Sequence, residues 1–588
     1  MILEIVIPYA MLSIFLLSFL AFAARRLLTY LHLFQQEEYD DLRFLRWLVK
    51  SRAFDRRLSL GLLALLGLLL LWPWTGLLTL IWVAAAFFAP LLASAACLAA
   101  AVSERDPRKT AKKPLAMTAR AKRIYWTALG LITVIGIPLT FAGSVGTWIA
   151  MQVGGAQLAW RGPPFDFDYD EARWQVTVIA TAFLCGSWLI WVAAVQLVPL
   201  TLVAGNLLLA PFEARVQRRY WREARAVLQR VNPIVIAVTG SYGKTSVKHI
   251  LGHVLETAGP TLITPGSVNT AMGIARVIRE RLAPHHRYFV VEMGAYGIGS
   301  IERLCALTPP QLGIISAIGK AHYERFKSLD AVARAKFELA EAVRDNAGTL
   351  IAASDVAQFA RPRAFIESHR DMVVTVGADD HADLAIRSLR QAPDGIVAAI
   401  SWRGTGYELR APLFGRHQGQ NIALAFAAAC TLGLPPEDVV ASLRSTPQIA
   451  HRLEVKRQGG APTMIDDAYN SNPVGFESAL DLLDALQQPG GRRILVTPGM
   501  AELGSEHEAE HARIGRLAAA HVDVLVAVAP HRVAPLAAAF AEAAPERDIV
   551  SCPSFAEAKH WLDGNLAADD VVLIENDLPD ILEQKLRL

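Results

Sequence analysis

Ile234-Val235-Ile236-Ala237-Val238-Thr239-Gly240-Ser241-Tyr242-Gly243-Lys244-Thr245-Ser246 decides the fold. Its first five residues are apolar and mostly β-branched, as a strand buried on both faces of a parallel sheet requires. A glycine loop follows at once, and a helical pattern follows the loop. Strand, glycine loop and helix together form a phosphate-binding arrangement. Gly240 and Gly243 let backbone N–H groups close around phosphate oxygens, and the helix N-terminus adds partial positive charge. Lys244 reaches the terminal phosphates, and the Thr245 hydroxyl can ligate Mg²⁺. The loop departs from a full Walker A in having Val238 five residues before Gly243. The G-x-x-G-K-T pattern after a strand favours nucleotide binding over an incidental glycine turn.

Outward from this unit, Tyr288-Phe289-Val290-Val291 reads as a second strand ending in Glu292-Met293-Gly294. A carboxylate at the C-terminal end of a parallel strand lies at the sheet edge where ligands bind, so Glu292 can reach the same metal ion. A third strand, Leu312 to Ser316, leads into Gly319-Lys320-Ala321-His322. Strands at 493–496, 522–528 and 570–574 alternate with Ala-rich helices and predict a small doubly wound domain over 450–588. Its first strand is followed by no G-x-G-x-x-G, which argues against a separate dinucleotide site.

The first 211 residues have another character. The 588-residue chain is 53% hydrophobic and 19% charged, with mean hydropathy +0.31, which excludes disorder and a wholly soluble chain. Residues 1–24 carry only Glu4, and 58–102, 124–151 and 174–210 carry no charge. Each exceeds a bilayer crossing. The 58–102 run divides at Trp72-Pro73-Trp74-Thr75-Gly76, which gives about five spans. The last covers 174–198, followed by an interfacial or dipping segment from Pro199 to Pro211. Arg25 and Arg26 follow the first apolar run, which favours an anchor over a cleaved leader. Eight Lys/Arg in 25–57 and eight in 103–123 place those loops in the cytoplasm, with the acidic 152–173 loop and the N-terminus outside. The expected division is a transmembrane domain over 1–211, a juxtamembrane linker over 212–230, a central nucleotide-binding domain over 231–449 and a C-terminal domain over 450–588. The catalytic part then faces the cytoplasm from the inner membrane. The net charge of +3 calls for no nucleic-acid partner. Five scattered cysteines, Cys97, Cys185, Cys305, Cys430 and Cys552, suit neither a disulfide framework nor a cysteine-ligated metal.

The motifs carry a family resemblance. TGSYGKTS (239–246), TPGSVNTAMG (264–273), VVEMGA (290–295), SAIGKAHYERFKSLDAVARAKFE (316–338), GRHQGQN (415–421), HRLE (451–454), IDDAYNSNP (465–473) and RRILVTPGMAELG (492–504) recur in the order found in the Mur ligases. The sequence resembles most the MurF branch, which adds D-alanyl-D-alanine to a UDP-linked muramoyl tripeptide. The resemblance implies that Gly240, Ser241, Gly243, Lys244, Thr245 and Ser246 hold ATP, and that Thr245, Glu292 and His322 organise Mg²⁺. Lys336 matches a lysine carbamylated in many members, a change that makes a cation into a metal-binding anion. Asn421, Arg452 and Asp467 match nucleotide contacts. Asn269 and Thr270 fall where the family meets its acceptor, with Tyr469, Asn470 and Asn472 as substrate-site neighbours. The implied reaction activates a carboxylate as an acyl phosphate, which an amino acid or dipeptide amine then attacks.

Three departures bear on the substrate. Apolar spans stand where the family has a soluble domain that grips UDP. Gln418 replaces a usual asparagine, and Glu575-Asn576-Asp577-Leu578-Pro579-Asp580 replaces a basic K-G-S-R type of motif. Two acceptors remain open, a UDP-linked muramoyl peptide and a lipid-linked or other envelope-polymer acceptor, with membrane lipid as a further partner. An ATP-driven transporter or scaffold is a more distant reading, with neither an LSGGQ-type signature nor charges inside the central spans to support it.

Overall fold

The computed structural model describes residues 2–70, 79–110, 114–138, 167–319, 326, 328–469, 471–501 and 503–577. The chain divides into two compact units, one built on Met1–Arg215 and the other on Val216–Leu578. His322 and Asn470 lie outside the described residues, as do the turn expected at Trp72–Gly76 and most of the 152–173 loop.

In the first unit, long helices cover Ile2–Gln36, Arg57–Leu70, Thr79–Ser103, 119–138 and the start of Phe167–Val231. Phe15 and Phe19 meet the Trp191 ring edge-on at centroid distances of 4.9 and 5.0 Å. Arg26 is buried between Asp55, at 2.6 Å, and Glu104, at 3.1 Å. Large apolar side chains, among them Leu60, Leu92, Val134, Leu189 and Leu207, face outward. Ala10–Gln36 and Trp188–Val231 are long and apolar enough to cross a membrane. The interfacial or dipping segment expected from Pro199 to Pro211 and the linker expected over 212–230 both lie within the helix Phe167–Val231. Each proline removes one amide donor without ending the helix.

The second unit contains two sheets. The larger runs β2-β3-β1-β4-β5-β6-β7-β8-β9, with β1 Ile234–Thr239, β2 Thr261–Ile263, β3 Tyr288–Glu292, β4 Leu312–Ile315, β5 Thr349–Ala353, β6 Val373–Gly377, β7 Leu384–Ala392, β8 Gly395–Trp402 and β9 Thr405–Ala411. It is parallel as far as β7, and β7, β8 and β9 form an antiparallel extension. Val235 and Ala237 pack on one face with the helices Ala271–Arg281, Ser300–Leu307 and Leu329–Asp345, together with Ala224 and Leu228. Ile236 and Val238 pack on the other face with Lys244–Glu256 and Gln418–Thr431. Burial on both faces explains the unbroken apolar run of β1.

The smaller sheet runs β10-β11-β15-β12-β13-β14, with β10 Glu454–Lys456, β11 Thr463–Asp467, β12 Arg493–Thr497, β13 Val524–Val528, β14 Asp548–Cys552 and β15 Val571–Glu575. All neighbours except β10 and β11 are parallel. Helices Pro473–Ala485, His507–His521 and Ala534–Ala543 cover one face, and Phe555–Asn565 covers the other. This is the doubly wound α/β pattern expected of the C-terminal region.

Candidate functional site

β1 ends at Thr239, and the loop turns through Gly240 and Gly243 into the helix Lys244–Glu256. Gly243 is the helix cap with φ +78°, and a Cβ there would lie 2.4 Å from Asn421 Oδ1. A Cβ on Gly240 would meet Ser316 Oγ at 1.9 Å. Both positions therefore require glycine, and the cap has no side chain to occupy the first helical amides. Such a terminus suits an anion. Lys244 curls back over the loop, donating to Gly240 O at 2.7 Å and Ser241 O at 3.3 Å. Burial lowers its pKa and the charge of Glu292 counteracts the shift.

Glu292, at the end of β3, is the hub of the site and only 1% exposed. Thr245 Oγ1 donates to its Oε2 at 3.0 Å, and Lys248 Nζ approaches the same oxygen at 3.0 Å. Asn269 Nδ2 reaches Oε1 at 3.5 Å, while Tyr296 Oη donates to Asn269 Oδ1 at 3.0 Å. The hard oxygens of Thr245 and Glu292 fit Mg²⁺, which favours oxygen donors and anionic ligands. Lys336, on the helix Leu329–Asp345, is 4% exposed. Burial, and then the neighbouring charge of Lys244, hold its amine well below the usual lysine range.

From the C-terminal side, Arg452 places its guanidinium 4.3 Å from the Tyr469 ring centroid, and its charge is felt at Lys244 and Lys248. The Tyr469 hydroxyl bonds to Ser267, which joins the C-terminal domain to the 264–273 loop. Asp467, at the end of β11, accepts the Leu453 amide at 3.2 Å and pairs in register with Glu575 of β15. Both are buried, and burial pushes Asp467 up to about 6 and Glu575 well above the usual carboxylate range, where the Asp467 charge adds to the effect. Ser471 donates to Glu575 Oε1 at 2.5 Å.

The structure thus brings Lys244, Thr245, Glu292 and Asn269 together, with Asn421 against the loop at Gly243. Thr270 and Asn472 have local duties as well: each caps a helix, accepting from Gly273 N and Gly475 N. Three functional candidates escaped the sequence reading. Lys248 is one, and its four-residue spacing from Lys244 on a helix was the available signal. Gln418 accepts Asn421 Nδ2 at 2.9 Å and so orients it. Glu575 was visible only as a replaced motif, and its pairing with Asp467 was not.

A glycine loop between β1 and a helix, a carboxylate at the end of β3 and a second α/β sheet that follows in the chain define the class as a two-sheet α/β protein with a loop suited to phosphate. The Mur ligase middle domain matches residues 238–429, and the Mur ligase glutamate ligase domain matches 451–575. The chain belongs to the Mur ligase family. It is 34% identical over 294 residues to the UDP-N-acetylmuramoyl-tripeptide–D-alanyl-D-alanine ligase of Mycobacterium tuberculosis, covering 48% of this chain and 56% of that one. The Escherichia coli enzyme of the same name is 31% identical over 303 residues, covering 51% of this chain and 66% of that one. The MurF structure from Acinetobacter baumannii superposes with TM-score 0.53 at 27% identity, over 61% of this chain and 77% of that one. The chain therefore spans just over half the length of the M. tuberculosis relative.

Proposed function

We propose that the chain is an ATP-dependent carbon–nitrogen ligase of the MurF type, joining D-alanyl-D-alanine to a UDP-muramoyl peptide in cell-wall precursor synthesis. The observation that carries this reading is Glu292 bonded to Thr245 of the phosphate loop, inside a chain whose MurF-like motifs occur in family order. A carboxylate oxygen of the acceptor attacks the γ-phosphorus, and the bond to the β-phosphate oxygen breaks, releasing ADP. The amine nitrogen then attacks the acyl carbon, the C–O bond to phosphate breaks, and the nitrogen loses a proton. Lys244 and the loop amides offset the negative charge of the reacting groups, and Arg452 completes the site from the second domain. Thr245 and Glu292 would hold Mg²⁺, with His322 and a carbamylated Lys336 as the further ligands that the family resemblance implies, and the ion would supply additional charge neutralisation. The contact between Tyr469 and Ser267 helps close the site against water, which would hydrolyse the acyl phosphate.

The membrane location belongs to the same proposal. The first unit spans the bacterial inner membrane about five times and leaves residues after 211 in the cytoplasm. Outward-facing Leu60, Leu92, Val134, Leu189 and Leu207 on its helices support lipid contact. These spans also favour a second acceptor, a lipid-linked muramoyl peptide. The deciding experiment supplies the full chain in detergent micelles with ATP, Mg²⁺, D-alanyl-D-alanine and either acceptor, and detects the product by mass. Product from the UDP-linked acceptor supports the first reading, and product only from the lipid-linked one replaces it with the second. ADP release without amide formation from either acceptor sinks both.

A further inference from the structure

Lys248 is unusual for a lysine on a helix: its side chain is 0% exposed and ends on Glu292, the carboxylate that closes β3. It lies one turn beyond Lys244, so both ammonium groups project from the same face of the helix Lys244–Glu256. Lys248 Nζ also donates to Gly266 O, which ties it to the loop before Asn269. Glu292 is thus divided between its two oxygens. Oε2 takes both the Thr245 hydroxyl and the Lys248 ammonium, whereas among the described residues Oε1 receives the 3.5 Å contact from Asn269 alone.

A buried carboxylate without a counter-charge would attract a divalent cation in its own right. Resting on the nucleotide-site reading above, we propose that Lys248 is a positioning residue that makes cation binding depend on nucleotide. Its charge offsets that of Glu292 in the resting protein, and its hydrogen bond fixes Oε2 so that Oε1 is the oxygen free to turn toward a cation. The negative charge needed to retain the cation then arrives with the phosphates. An ordered site of this kind avoids trapping a metal ion before ATP enters.

The test is Mn²⁺ binding by electron paramagnetic resonance on the full chain in detergent micelles, with and without a non-hydrolysable ATP analogue. Lys248→Met and Lys248→Gln should each tighten nucleotide-free Mn²⁺ binding about tenfold or more, because a neighbouring unit charge is removed. Lys248→Arg, which keeps the charge, should behave as wild type. Using two neutral variants, checked by melting curve, separates the charge effect from misfolding. Unchanged or weaker nucleotide-free binding in a folded neutral variant overturns the proposal, as does tight nucleotide-free binding in wild type. Failure of the wild-type chain to bind the analogue at all would overturn the nucleotide site itself, a separable result.

Discussion

Asp467 and Glu575 stand opposite one another on the parallel strands β11 and β15, with both carboxyl groups buried. Burial raises both, Asp467 to about 6 and Glu575 further. A carboxyl whose folded value exceeds its unfolded value near 4 takes up protons on folding, so its contribution worsens as pH rises through the folded value. The pair's contribution to the melting temperature should therefore fall between pH 5 and pH 8. Glu575→Gln removes the titration of one member of the pair, so the variant's melting temperature should gain on the wild type's as pH rises from 5 to 8, by about 2 to 4 °C at the upper end. Scanning calorimetry of both proteins across this range checks it, and a difference that does not grow toward pH 8 would contradict the buried acid pair.

Lys244→Ala and Glu292→Ala remove the charges arranged around the phosphate loop. Each should lower amine-dependent ADP release about 100-fold or more, the scale seen when a preorganised electrostatic group is deleted. An undiminished rate in either variant would count against the site as drawn.

Asn472 caps the helix Pro473–Ala485 through a 3.0 Å bond from the Gly475 amide. Asn472→Ala should cost about 1 kcal/mol of stability, and Asn472→Ser, which can still cap, should recover most of it. Denaturant titration measures both. If Asn472 also touches substrate, the Ser variant should regain stability while its KM stays raised.

Lys336 is buried beside Lys244, which favours the neutral amine. A neutral amine can add to the carbon of carbon dioxide and lose a proton to give a carbamate. Protein equilibrated with ¹³C-bicarbonate should show a carbamate resonance that is missing in Lys336→Arg, and the same variant should lose ligase activity. A wild-type spectrum without that resonance would remove Lys336 from the proposed metal ligands.

The strand, glycine loop and helix at 234–256 were legible because each step is local: apolar β-branched residues, glycines with special backbone needs, then a helical pattern. Glu292 was legible for the same reason, as a carboxylate closing a strand. Lys248 was not, because a lysine inside KTSVKHIL reads as a solvent-facing residue until β3 and Gly266 are seen to enclose it. The extension β7 to β9 also passed unread, since its alternation is mixed with exposed arginines such as Arg387 and Arg390. In the long helix Phe167–Val231, Pro199 and Pro211 read as the ends of a separate segment, yet neither ends the helix.

β15 enters the smaller sheet between β11 and β12, so the strand made last occupies a central place. Order of synthesis and order in space are therefore opposed. Until residue 575 has left the ribosome, β11 and β12 each lack their shared neighbour, and the non-local pairing that brings Asp467 to Glu575 cannot form. A chain cut short of this strand would leave the smaller sheet as two separate pieces, β10 with β11 and β12 with β13 and β14, with no ladder between them among the described residues.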